Sequence, residues 1–287
     1  MTSACADWPP LDCERGSLAV AGLVIRYHYT APDPDKPWLL IALPFGIPVE
    51  IAAAALDAFR PAFNVITWAN RYALDLDVPF SGDEPLSPTD HVEDMLSVLA
   101  ELGVRRCRLI GYCSGAGIAL VAAREHPDRF SDLVLVNGEF QLFQRGHVAT
   151  AYQRSIDSFL PVVARDRETA ESIFSTMAEV AAAGEVPDSL LQRQMNYPFG
   201  HVERLFRYAR SYLAYRDFDA ATVAGGVPQS TLVIAGRRDE HTDPENSQAI
   251  AQAIPRATLL MDDEGDHYAF CKPRSATLAA ITRHLRG

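Results

Sequence analysis

Leu109-Ile110-Gly111-Tyr112-Cys113-Ser114-Gly115-Ala116-Gly117 is the stretch on which the fold turns. A short apolar strand, Cys107–Gly111, runs into a Gly-x-Cys-x-Gly turn and straight on into a small-residue-rich helix, Ala116–Glu125. So tight a strand-to-helix turn leaves no room for neighbouring Cβ atoms, which explains Gly111 and Gly115 on either side of Tyr112-Cys113-Ser114. The turn lifts the Cys113 side chain above the sheet and sets it at a helix N-terminus, where free amides and the helix dipole favour an anion. A cysteine there is expected to have a lowered pKa and a reactive thiolate. The plainer reading, a buried structural thiol, fits a lone cysteine in general but not one held between two glycines at such a turn.

Outward from this stretch the chain alternates strand and helix. Upstream, Ser17–Val20 and Leu23–Tyr29 flank Ala21-Gly22 as a hairpin, and three prolines between Thr30 and Pro37 forbid regular structure. Trp38–Leu43 and Phe63–Trp68 are continuous apolar runs of the kind found in strands buried on both faces, with a helix over Ala52–Phe59 between them. Val92, Met95, Leu96, Leu99 and Leu102 recur at helical spacing after a Ser87-Pro88-Thr89-Asp90 cap, and Gly103 ends that helix. Downstream come a strand at Leu133–Asn137, a strand at Thr231–Ala235, a helix over Pro244–Ile254, a strand at Ala257–Met261 and a final helix over Ser275–Leu285. The rhythm breaks only between Glu139 and about Thr222, which is helix-like, charged and rich in Phe and Tyr. An α/β fold with a mostly parallel sheet follows, with a helical insertion over the carboxyl ends of the strands. The expected division is a core over residues 17–138, a helical cap over 139–222 and the rest of the core over 223–287.

The Gly-x-Cys-x-Gly turn in this setting resembles the nucleophile elbow of the α/β-hydrolase fold family, and the likeness extends from about Ser17 to Leu285. Most of that family carries serine where this chain has Cys113. The resemblance implies a chain order of nucleophile, acid and histidine. It assigns the acid to Asp239, in Gly236-Arg237-Arg238-Asp239 after one strand, and the histidine to His267, in Glu264-Gly265-Asp266-His267-Tyr268 after the next. His267 would take the thiol proton and Asp239 would orient the imidazole. The residue after the nucleophile, Ser114, would give its backbone N–H to an oxyanion hole, with a second amide from Phe45 or Gly46 in Leu43-Pro44-Phe45-Gly46. Asp243 is a rival carboxylate set aside because Asp239 stands nearer its strand end, and Asp266 is read as structural. The other seven histidines, His28, His91, His126, His147, His201, His241 and His284, are read as surface or capping residues. Arg204, Arg207 and Arg210 at i, i+3 and i+6 are read as a solvated helix face, only weakly suggestive of a carrier-protein contact.

Composition bounds the partners. The chain has 287 residues, 26 Lys plus Arg against 37 Asp plus Glu and a formal charge of −11. Such a surface repels nucleic acid. Five dispersed cysteines, Cys5, Cys13, Cys107, Cys113 and Cys271, form no Cys-x-x-Cys pair and suit a reducing compartment rather than a disulfide framework or zinc site. With no leader-like N-terminus and no membrane-length apolar run, the chain reads as soluble and cytoplasmic, without cofactor or metal. A thiolate on a carbonyl gives a thioester, so cysteine suits thioester substrates and acyl transfer more than simple hydrolysis. The leading expectation is an acyl-processing enzyme, a thioesterase, ester hydrolase or acyltransferase. Its substrate would be a hydrophobic biosynthetic ester or thioester, free or carried on a carrier protein, as in polyketide-type secondary metabolism. Two other classes stand beside it: an eliminase removing acetate from an O-acetylated tetronate-type intermediate, and a non-catalytic binding protein of the same fold.

Overall fold

The computed structural model describes residues 8–143, 146–182 and 189–286. Eight strands form one sheet: β1 (Glu14–Val20), β2 (Leu23–Tyr29), β3 (Trp38–Ala42), β4 (Asn64–Trp68), β5 (Cys107–Tyr112), β6 (Phe130–Val136), β7 (Ser230–Gly236) and β8 (Ala257–Asp262). Their order across the sheet is β1-β2-β4-β3-β5-β6-β7-β8. The β1–β2 and β2–β4 pairings are antiparallel and all the others are parallel. The mostly parallel sheet read from the sequence is therefore present.

The helices are α1 (Ala53–Phe59), α2 (Pro88–Glu101), α3 (Ser114–Glu125), α4 (Ala151–Val163), α5 (Arg167–Ala182), α6 (Leu190–Met195), α7 (Val202–Arg216), α8 (Ala220–Ala224), α9 (Pro244–Ala253) and α10 (Ala276–Arg286). Central strands alternate their side chains between two cores. On one face Leu40, Leu109, Leu135 and Val233 meet α2, α3 and α9. On the other Leu39, Ile41, Ile110, Val134 and Ile234 meet α1 and α10. Both faces are dry, which is why these strands read as unbroken apolar runs. Ser87 caps α2 in a reciprocal box with Asp90, Pro88 opens the helix, and Gly103 closes it at φ +66°. A third core lies among α4, α5 and α7, where Leu160, Leu205, Phe206, Tyr212 and Tyr215 pack with Phe45 and Phe80. No described helix is long and apolar enough to cross a membrane.

The Arg204–Arg207–Arg210 stripe departs from the expected solvated face. Arg207 is 3% exposed and donates to the carbonyls of Tyr72, Asp75 and Val78 at 2.8–2.9 Å, with Nε on Glu203 at 2.8 Å. Arg204 lies over the Tyr197 ring, and Arg210 reaches the Ala164 carbonyl and Asp83. A loop that presents unpaired carbonyls draws in the guanidinium, whose five donors can satisfy several at once. His91 is a second departure. It sits inside α2 at 2% exposure, and burial pushes its pKa down to about 3.

Candidate active site

Cys113 lies between β5 and α3 with φ 54° and ψ −125°, a conformation disfavoured for a residue with a Cβ and sustained only where the surroundings enforce it. Both flanking glycines are required. A Cβ on Gly111 would meet Ala116 Cα at 2.5 Å, and one on Gly115 would meet the Ala42 carbonyl oxygen at 2.2 Å. The Cys113 amide is held by the Val136 carbonyl at 3.0 Å, and its own carbonyl accepts from Ala116 N–H and from Glu139 N–H. Strand, helix and the start of the β6–α4 connection thus fix the thiol from three sides.

The acid and the histidine, 28 residues apart, arrive from the ends of β7 and β8. His267 Nδ1 and Asp239 Oδ2 are 2.9 Å apart, both side chains being 1% exposed. The rest of the carboxylate is occupied: His241 and Thr242 amides donate to Oδ1 at 2.8 and 2.9 Å, and the Thr242 hydroxyl donates to Oδ2 at 2.9 Å. Burial alone would raise the Asp239 pKa, but the His267 charge and these donors outweigh it, and the carboxyl is held below its usual range. Asp243 caps α9 through Glu245 N–H, and Asp266 accepts from Tyr268 N–H and pairs with Lys272. Neither competes with Asp239 for the imidazole.

His267 Nε2 is buried and has no hydrogen-bond partner among the described residues. It shares one cavity with the half-buried Cys113, Ser114, Phe45 and Thr242. Burial opposes the imidazolium, yet Asp239 and Cys113 raise the His267 pKa to about 10. The thiol goes against the sequence-based expectation of a depressed value. Burial raises it, and the nearby His267 only partly offsets that. A helix N-terminus does not by itself make a thiolate once the sulfur has lost its water. Cys113 favours the imidazolium only when the sulfur is ionised; the resting thiol, raised by burial, keeps its own proton, and Nε2 faces it without an aligned bond.

On the opposite wall Phe45 N–H points to Ser114 Oγ at 3.3 Å, so the two residues expected to supply oxyanion amides are side by side. Gly46 stands next in line at φ +75° against the Tyr208 ring and does not itself line the cavity. The cavity, partly open to solvent, is walled by α4 (Tyr152, Gln153, Ile156), α6 (Met195) and α7 (Tyr208, Tyr212).

Three contributors escaped the sequence reading. Asn137, at φ 44° just past β6, donates from Nδ2 to the carbonyls of Asp266 and His267 and accepts Gly236 N–H at 3.0 Å, tying three strand ends together. The φ > 0 tolerance of Asn was the signal available. Tyr112, placed in the elbow only for its position, donates its hydroxyl to the His267 carbonyl at 3.0 Å. His241, read as peripheral, stacks on His267 with ring centroids 4.6 Å apart and bonds Tyr268 Oη at 3.0 Å. Cys107 and Cys271 are buried thiols pushed up to about 12 by desolvation; Cys5 lies outside the described residues.

Comparison with known proteins places this architecture. Over 279 residues the chain is 25% identical to an L-allo-isoleucyltransferase of Pseudomonas savastanoi pv. glycinea, covering 96% of this chain and 94% of that protein. A hydrolase from Pseudomonas aeruginosa PA01 superposes with a TM-score of 0.73 at 23% identity, covering 95% of this chain and 98% of the other. An enol-lactonase from Burkholderia xenovorans LB400 does so with 0.72 at 18%, covering 95% and 100%. The model of the alpha/beta hydrolase fold family matches residues 70–272, from the loop before α2 to just past His267. The chain belongs to the α/β-hydrolase fold family.

Proposed function

We propose that this chain is an acyltransferase that carries the acyl group as a thioester on Cys113. The observation that supports it most directly is the arrangement around His267: Nδ1 is held by a buried carboxylate at 2.9 Å, while Nε2 stands unpartnered in the cavity that contains the Cys113 thiol. The thiol proton passes to Nε2 as sulfur attacks the substrate carbonyl. Asp239 stabilises the imidazolium that results. The tetrahedral oxyanion receives N–H groups from Ser114 and Phe45. Collapse breaks the bond to the leaving thiol or alcohol, which takes the proton from Nε2, and leaves acyl-Cys113. An acceptor thiol then repeats the sequence in reverse, giving its proton to Nε2 and releasing Cys113.

Two considerations favour transfer over hydrolysis. A thioester on cysteine keeps the free energy of a thioester substrate, whereas an ester on serine would lose it. The relative that matches nearly end to end is named for isoleucyl transfer. The donor is accordingly a small acyl thioester, free or on a carrier protein. Incubation with acyl N-acetylcysteamine thioesters followed by intact mass measurement should show one acyl adduct, and peptide mapping should place it on Cys113. Cys113→Ala should abolish the adduct and turnover alike; undiminished turnover in that variant would end the proposal. Release of acid together with a new double bond, with no adduct, would point instead to elimination.

A further inference from the structure

The mechanism above gives no role to the carboxyl that lines the cavity. Glu139 lines the same space as Cys113 and His267. Its backbone is pinned on both sides of its Cα: its N–H donates to the Cys113 carbonyl at 3.1 Å, and its carbonyl accepts the Tyr215 hydroxyl. With the main chain fixed beside the nucleophile, the side chain turns into the cavity. No described residue donates a hydrogen bond to its carboxyl or forms an ion pair with it. Two positive groups lie within electrostatic reach: the His267 ring across the cavity, when protonated, and Arg216, which is engaged with Asp157 at 3.3 Å.

Glu139 is half-buried, and a carboxyl that gives up part of its water with no donor in exchange is completed by a ligand that brings one. Its desolvation is visible in a pKa pushed up to about 7. The walls beside it are the rings of Tyr152, Tyr208 and Tyr212, whose faces attract cations. Ile47, Ile156 and Met195 supply an aliphatic surface in the same cavity. A carboxylate among aromatic faces beside an aliphatic wall fits a ligand with an ammonium and a branched apolar chain. Covalent geometry adds a constraint. An α-nitrogen lies about 2.5 Å from the carbonyl carbon of its own acyl group, so its receptor must stand next to the nucleophile, where the Glu139 backbone is fastened.

We propose that Glu139 is the specificity residue for an aminoacyl donor, its carboxylate receiving the α-ammonium of an aliphatic aminoacyl thioester while Cys113 attacks the adjacent carbonyl. This rests on the acyl-Cys113 reading and narrows its substrate class. The test compares L-valyl with 3-methylbutanoyl N-acetylcysteamine thioester, which differ only in the ammonium. Each rate of Cys113 acylation is divided by the rate of the same thioester with free N-acetylcysteine, which removes intrinsic reactivity. The wild-type protein should prefer the valyl donor by about 30-fold or more, Glu139→Gln should reduce that preference at least tenfold, and Glu139→Asp should recover part of it. An unchanged preference in Glu139→Gln, or wild-type acylation at equal corrected rates by both donors, would overturn the assignment while leaving acyl-Cys113 intact. Failure of both donors to acylate wild-type Cys113 would overturn the two readings together. If the glutamine variant does not fold, Glu139→Asp, which keeps the charge but shortens its reach, carries the test: a preference equal to that of the wild type would overturn the assignment.

Discussion

At the scale of single residues, the thiol and imidazole form a coupled pair whose balance is set by burial against charge. Burial raises the Cys113 pKa and the His267 cation lowers it. Removing the cation leaves burial unopposed, so His267→Ala should displace the pH profile of iodoacetamide alkylation at Cys113 to higher pH and slow it about tenfold at pH 7. A profile that stays put would mean that the ring does not sense the sulfur. Gly115 makes a second test. Its missing Cβ would stand 2.2 Å from a backbone carbonyl that no rotamer change can move. Gly115→Ala should therefore lower stability by about 2–3 kcal/mol in urea unfolding. Cys113, Asp239 and His267 were legible in the sequence because a turn with two obligatory glycines, and acids and histidines just past strands, are local patterns. Asn137 and Glu139 were not. Their significance comes from what stands across the cavity or at neighbouring strand ends, and no spacing records that.

At the scale of elements, α2 is held to the loop after β4 by an ion pair that the helical periodicity did not announce. Arg71 grips Asp94 in bidentate fashion at 2.8 and 2.7 Å, the side chains being 3% and 0% exposed. Desolvation raises the pKa of Asp94 despite the guanidinium. Breaking such a pair strands a buried charge. Asp94→Ala should cost about 3–5 kcal/mol in denaturant, whereas a well-packed apolar pair in place of both residues should recover most of that. Equal losses in the single and double variants would show that the pair itself stabilises the helix. Helices and strands could be read from apolar period and caps, since these are properties of neighbours in sequence. The polar side chains that join one element to another could not, and Arg207 was misread as surface for that reason.

At the scale of the whole molecule, buried histidines govern the response to acid. His91 titrates at about 3, His28 and His241 at about 4, all lowered chiefly by burial, whereas an unfolded chain titrates near 6.5. Between pH 6.5 and 4.5 the unfolded chain therefore binds three protons that the folded one does not. Glu139, at about 7, takes up a proton in the folded state first and offsets one of them. Stability should fall as pH drops from 6.5, with a net uptake approaching about two protons per unfolding event. Glu139→Gln should steepen that fall. Thermal melts from pH 4.5 to 6.5 should record this fall; a flat acid limb would contradict the burial of these rings. The Arg207 grip on the carbonyls of Tyr72, Asp75 and Val78 reaches further, into how such a protein can be recombined. A chimera that borrows α7 from a relative must import the 72–78 loop along with it, so the unit that evolution or an engineer can exchange is discontinuous in the gene.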